Sequence, residues 1–589
     1  MTEKMYGEGP NAPVSTGVPF FRKTELEKTE NSADIGTETA APQADGTSAP
    51  KPTVGVDGTE GNAPNGTERK PVWNHPSTYD WSKQPFHSGS LKVGKEPLKF
   101  DRKDAVFALL MLICGYLFCR FVLDSGLGFG TTLFYGLFAT LSFVYLKRPG
   151  KLPKGSVLCF VFATLSALNF SLFANPHIQM FNLLFLMGCV VYEMALLSGT
   201  RIEAKLGGCF PADMLNQGLF VAFGNFFNNF RILFSRKSKK DQTLLAVLVG
   251  LIIAIPVLTI IILLLIQADA AFEALTSHFS YWFRSEIGRF LFWLVPSILV
   301  GCYLFGLLYG NRYRRRTDCI TEEKVTNLRQ SCQKLVPAVF GTTLALVCAV
   351  YIVFLVVQVV SVIESYEAGQ PLSVSYAEYA RRGFFELCGL ACFNLLIMGG
   401  AWLFTSAKEK RPLSQRILFA LLSGETLLLI LTAVGKMIFY VKRYGLTQKR
   451  VYTLWFMATM FLFFCVLMAS QIKKLPLTRI AVILCSVSFL ILSYSNVDGL
   501  IVRYNVDAYQ SGRLDELNIT TFYTIPAAAL PEAVKVYEGM EETPDLKRDL
   551  GQFIVSVHDN LRYLDWSSLD LEQLRAREIE IPGDLQNDW

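Results

Sequence analysis

The chain of 589 residues lacks the signatures that would mark a soluble enzyme. It has no GxxxxGK[ST] phosphate loop, no GxSxG elbow, no HExxH helix and no paired CxxC. Its five histidines, at 75, 87, 177, 278 and 558, are too scattered to form a metal cluster by spacing. No hydrophobic core interrupts the first hundred residues, so a secretory signal peptide is not expected. The 495–589 segment contains no cysteine at all. Basic residues are nearly absent from the loops around Asp124, Asn175 and Asp269. A nucleic-acid surface is not expected either, because the net charge of +6 gathers in separate loops and not on one base-reading or stacking face.

What is present is apolar sequence in long runs. Residues 1–98 are rich in Gly, Pro, Thr, Glu and Asn and poor in aliphatics. Such a segment cannot bury enough surface to offset its ordering entropy, which predicts a disordered tail. Apolar runs then occupy 105–123, 127–146, 155–174, 177–198, 243–267, 286–309, 335–363, 382–406, 415–440, 450–470 and 477–494. Each is long enough to cross roughly 30 Å of hydrocarbon at about 1.5 Å per residue. The expected fold is an all-α polytopic membrane protein with about eleven spans over 99–494 and a small α-rich segment over 495–589.

Loop charge gives a direction. Lys92, Lys95, Lys99, Arg102 and Lys103 precede the first span, and Lys147, Arg148, Lys151 and Lys154 follow the second. Arg312, Arg314, Arg315, Arg316, Lys408, Lys410, Arg411, Lys473 and Lys474 fall on the same side. The positive-inside rule puts these loops and the N-terminus in the cytoplasm. An odd number of spans then places the C-terminal segment outside, which agrees with its lack of cysteine. The thirteen cysteines sit in apolar runs or at Cys209, Cys319 and Cys332, and read as free thiols. The aromatic stretch near 209–235 ends in a basic cluster and suits an interfacial helix.

Ionisable residues inside apolar runs are costly unless paired or hydrated. Glu193, Glu386 and Glu425 fall within the fourth, eighth and ninth runs. Lys436 and Arg443 follow Glu425 at spacings that return to within about 20° of one helix face. Two readings stay open: a hydrated or proton-linked track lined by Glu425, Lys436 and Glu386, or interhelical pairs that hold the spans together. The loop 442–450, KRYGLTQKR, breaks the charge rule with four basic residues on the outer side. Glu364, Glu367 and Glu378 are its expected partners, or else an anionic headgroup.

Three motifs point to a family. SYAEYARRGFFELC at 375–388, KMIFYVKRYGLTQKRVYTLWFM at 436–457 and NVDGLIVRYNVDAY at 496–509 resemble the bacterial multipass proteins grouped as domain of unknown function 4173 (DUF4173), related to DUF4153. The resemblance covers roughly 105–540 and implies the bacterial cytoplasmic membrane, without supplying an activity. The motifs concentrate where Tyr376, Glu378, Tyr379, Arg381 and Arg382 would meet Arg443, Tyr444 and Thr447 and the turn with Asn496, Asp498, Arg503 and Asn505. This polar cluster is either a structural clasp or a ligand site.

Three functions compete. A non-catalytic envelope scaffold, sensor or regulatory component, partnered by the bilayer and by membrane or envelope proteins, needs no catalytic constellation and no cofactor. A transporter or lipid-handling permease predicts a cavity lined by Glu193, Glu386, Asn394, Glu425 and Lys436. An intramembrane enzyme requires Glu386 and Glu425 to face each other.

Overall fold

The structure is a computed structural model that describes residues 99–147, 153–234, 288–333, 337–367, 374–404, 413–539 and 544–586, with a few isolated positions between 250 and 265. The expected tail over 1–98 and most of the expected 243–267 span lie outside the described residues. Every regular element among the described residues is helical.

The first four helices are α1 (Arg102–Phe118), extended by a π-helical stretch Cys119–Asp124, then α2 (Phe129–Leu146), α3 (Lys154–Asn169) and α4 (Pro176–Ser198). A broken segment follows, with α5 (Phe210–Leu215), a π-helical stretch Asn216–Val221, the turn Ala222–Gly224 and α6 (Asn228–Phe234). Next come α7 (Gly288–Tyr313), α8 (Glu322–Cys332), α9 (Pro337–Glu367), α10 (Val374–Phe404), α11 (Leu413–Tyr444), α12 (Gln448–Ile472) and α13 (Leu477–Tyr494). The C-terminal helices are α14 (Val497–Gln510), α15 (Ile519–Tyr523), α16 (Pro526–Glu538), α17 (Pro544–Arg562), α18 (Leu571–Arg577) and α19 (Gly583–Gln586).

Nine of the described helices are long and apolar enough to cross a bilayer, and α3 adds a shorter apolar helix over Gly155–Asn169. The protein is a polytopic all-α membrane protein. Its outward faces fit a lipid solvent: Leu396 is 71% exposed and Phe292 70% exposed on helices that water would not tolerate in that state.

Two bundles share the membrane region. In the first, α1, α2, α4 and α7 enclose Met111, Phe138, Met194 and Phe305. The crossing of α1 and α7 is set by glycine, because a Cβ on Gly115 would lie 2.1 Å from the Ser297 carbonyl oxygen and one on Gly301 would lie 2.7 Å from that of Met111. Small residues let the two backbones touch, which supplies van der Waals contact where no hydrophobic driving force acts between helices. In the second bundle, α9 to α13 surround Phe384, Leu429 and Phe464, and the same apolar cluster runs on into α14, α16 and α17. The C-terminal helices therefore form a cap continuous with this bundle. We call the end that carries it the cap end, and the opposite one the basic end.

The 209–235 stretch, expected as a single interfacial helix, is broken and turned inside out. Its amides are buried: Asn216 donates to the Thr317 carbonyl at 2.5 Å, Asn225 to that of Arg315 at 3.0 Å and Asn229 to that of Ala108 at 3.2 Å. Gln217 donates to the Thr200 hydroxyl at 2.9 Å and accepts from Asn311 at 2.9 Å. Leu219, Phe223 and Phe227 face outward instead. Irregular backbone needs its buried polar groups satisfied by protein, and the amide side chains do this here.

Candidate functional site

The richest polar cluster lies at the cap end. Asn175 caps α4, its Oδ1 accepting from the Ile178 backbone N–H at 2.9 Å and from the Tyr452 hydroxyl at 2.9 Å. The Nδ2 of the same side chain donates to Asp498 Oδ1 at 2.7 Å, and Gln448 Nε2 donates to that oxygen at 2.9 Å. One carboxylate thus ties together the starts of α4, α12 and α14. Beside it, Glu572 accepts from the Ala174 backbone N–H at 3.0 Å, and Leu571 N–H donates to the Ser171 carbonyl at 2.8 Å. Asn169 completes the knot by donating to the Ser493 carbonyl at 2.7 Å.

Burial lifts the Asp498 carboxyl to about 7, against the lowering effect of its two amide donors and with Glu572 adding to the rise. Burial also raises Glu572 and brings Asp570, the N-cap of α18, to about 7.

A second set of bonds holds the loop after α11. Asn505 accepts from the Leu446 N–H at 2.7 Å and donates to the Leu446 carbonyl at 2.8 Å. Gly445 turns there at φ +74°, and a Cβ on it would lie 2.5 Å from Asn505 Oδ1. Arg450 donates to the carbonyl of Tyr444 at 2.8 Å and stacks 4.4 Å over the Tyr440 ring. Arg443 pairs with Asp515 at 2.7 Å. The cap therefore neutralises part of the basic 442–450 loop.

Of the residues singled out in sequence, the fold gathers Arg443, Tyr444, Asp498 and Asn505 at the cap end. Asn496 caps α14 from a left-handed conformation at φ +46°, and Arg503 is exposed. Glu378, Arg381, Glu364 and Glu367 lie in helical backbone whose side chains are outside the described residues. Within the membrane region, Arg382 pairs with Glu386 at 3.2 Å one turn along α10, both exposed. Lys436 on α11 rests its Nζ against Gly383, where Glu386 acts on it electrostatically. Glu425 is buried near the Cys348 thiol, and neither carboxylate oxygen has a hydrogen-bond partner among the described residues. Asn394 is closed into a chain of bonds, accepting from Tyr351 at 2.8 Å and donating to Thr426 at 2.9 Å.

A family model described as "Domain of unknown function (DUF4153)" matches residues 158–536. The chain belongs to this family. No curated protein and no solved structure matches it. The part that makes it a DUF4153 protein runs from within α3 to within α16, and so holds Asn175, Gln448, Tyr452 and Asp498. Glu572 and Asp570, which complete the knot, fall beyond the matched part.

Sequence reading of this DUF4153 protein did not single out Asn175, Gln448, Tyr452, Glu572 or Asp570. The only local signal was the Asn-Pro pair at 175–176, a helix start. The chain also has an apolar cleft of about 1280 Å³ between α3, α4, α12 and α13, with Arg201, Lys205 and Arg479 in its lining. It shares α4 with the expected cavity, but none of Glu193, Glu386, Asn394, Glu425 and Lys436 lines it.

Proposed function

We propose that this chain is a non-catalytic envelope scaffold or sensor of the bacterial cytoplasmic membrane, with its N-terminus inside and its cap outside. The cap knot carries the reading. Buried bonds from Asn175, Gln448 and Ala174 seat the C-terminal helices on the bundle, and residues Val93–Trp589 make one compact unit. A surface held this firmly suits docking to membrane or envelope proteins. Arg312, Arg316, Lys473 and Lys474 at the basic end support the orientation. The three sequence motifs support the narrower DUF4173 grouping.

Exposed charge on α17, including Arg548, Asp545 and Asp549, supplies polar docking surface. Near the bilayer, Trp566 meets Phe121 edge-on at 5.8 Å, and Asp565 pairs with Arg120 at 2.9 Å. Trp566 is exposed beside the end of α1, as aromatic side chains at a membrane interface are.

A lipid-handling permease is the second reading, favoured by the apolar cleft. Proteoliposomes with a fluorescent phospholipid separate the two. Under the scaffold reading, the purified chain leaves transbilayer lipid exchange at the rate of empty vesicles, and photo-crosslinkers on α17 trap one discrete envelope protein in cells. Accelerated exchange would instead establish the permease. Orientation has its own check: with Asp515→Cys in a cysteine-free chain, an impermeant maleimide labels intact cells, and labelling only after lysis would reverse the assignment.

A further inference from the structure

The cleft between the two bundles has an uneven lining. Phe162, Phe181, Phe185, Trp455 and Phe489 make an apolar wall, while Arg201, Lys205 and Arg479 line the basic end. His177 and Tyr452 line the opposite end, the latter fixed by the bond to Asn175. The volume, about 1280 Å³, exceeds the roughly 300–1,000 Å³ of ordinary small-ligand pockets.

The cations are available. Arg479 is half-buried in the first turn of an apolar helix, and Lys205 is exposed. Among the described residues, neither has an ion-pair partner. Arg201 lies beside the Tyr192 hydroxyl and the Asp213 carboxylate, which also accepts from the Ile202 backbone N–H at 2.7 Å. A half-buried guanidinium at the end of an apolar span is well placed to take an anion at headgroup level, and its planar fork matches phosphate. The wall has a fitting length too. From Arg479 to Phe489 α13 rises about 15 Å, half of the roughly 30 Å hydrocarbon thickness and so the depth of one leaflet.

We infer that this cleft holds one anionic phospholipid from the leaflet at the basic end, its phosphate on Arg201, Lys205 and Arg479 and its acyl chains along Phe162, Phe185 and Phe489. The two ends of such a lipid match the two halves of the lining, and an isolated anion would leave the aromatic wall without a partner. The site is independent of the cap and stands whichever function the cap serves.

Native mass spectrometry of the full chain tests it, with phosphatidylglycerol and phosphatidylcholine of identical acyl chains as probes. The wild type retains phosphatidylglycerol in preference to phosphatidylcholine. Each of Lys205→Gln and Arg479→Gln lowers that preference about fivefold, the effect of roughly one near-surface cation. Arg479→Lys keeps most of it. Lys474→Gln removes the same charge at the same end outside the cleft and leaves the preference intact. Thermal melting confirms that each variant is folded. Equal retention of the two lipids, an equal loss in Lys474→Gln, or displacement by millimolar inorganic phosphate would overturn the assignment.

Discussion

Asn175 Nδ2 donates to Asp498 Oδ1 across 2.7 Å, joining a helix cap in the first half of the chain to a carboxylate beyond the last span. Neither group is independent of the other, because the same Asn175 side chain starts α4. Asn175→Ala removes the cap, worth about 1 kcal/mol. It also takes one donor from a buried carboxylate, worth about 1–3 kcal/mol more. The variant melts several degrees lower in detergent, and limited proteolysis of the C-terminal helices becomes faster. Gln448→Ala removes only a donor and gives a smaller loss.

Acid strengthens the seating of the cap. Asp498 and Asp570 sit at about 7 in the folded chain, above the roughly 3.9 of an unfolded aspartate, and Glu572 is shifted the same way. The folded state therefore binds more protons, and stability falls as pH rises from about 4 through about 7. His558, held low by burial, acts in the opposite sense on the acid side. Proteolysis of the cap is expected to be several-fold slower at pH 5.5 than at pH 8. Asp498→Asn keeps an oxygen acceptor, removes the charge and weakens that dependence, leaving the share of Asp570 and Glu572; an unchanged pH profile would refute this assignment.

Gly445→Ala is destabilising for two reasons that a double variant separates. A Cβ would strike Asn505, and the φ of +74° is strained for any L side chain, costing about 1–2 kcal/mol by itself. Adding Asn505→Ala to Gly445→Ala relieves the collision and leaves the strain. The pair should thus melt above the sum of its single effects.

At the α1–α7 crossing, Gly115→Val and Gly301→Val should each abolish accumulation of folded chain in the membrane. Backbone atoms sit within 3 Å of where the first new carbon would go, so no side-chain shift can absorb it. Gly136→Val is the control, since nothing lies within 4 Å of a Cβ there, and it should accumulate normally. Fluorescence-detected gel filtration of solubilised membranes reads both outcomes.

The broken 209–235 segment shows why helix location was easier to read than helix packing. Its aromatic residues mark an apolar environment by composition alone. Which side of the helix would face lipid could not be read, because Asn216, Asn225 and Asn229 are buried through bonds to residues about a hundred positions away. Periodicity reports an amphipathic face but not whether its polar side meets water or protein.

The sequence by itself determined that this chain is an all-α polytopic membrane protein, and its apolar runs and motifs pointed to the helices and to the residues around Arg443, Asp498 and Asn505. These follow from hydrophobicity and composition, which are local. Only the tertiary structure decided that Asn175 and Glu572 complete that region, that Glu386 and Glu425 take different surroundings, and that Arg201, Lys205 and Arg479 share one cleft. Those facts depend on which helices touch, and helix contact in a membrane rests on small residues such as Gly115 and Gly301 and on buried amides whose partners lie far away in the chain.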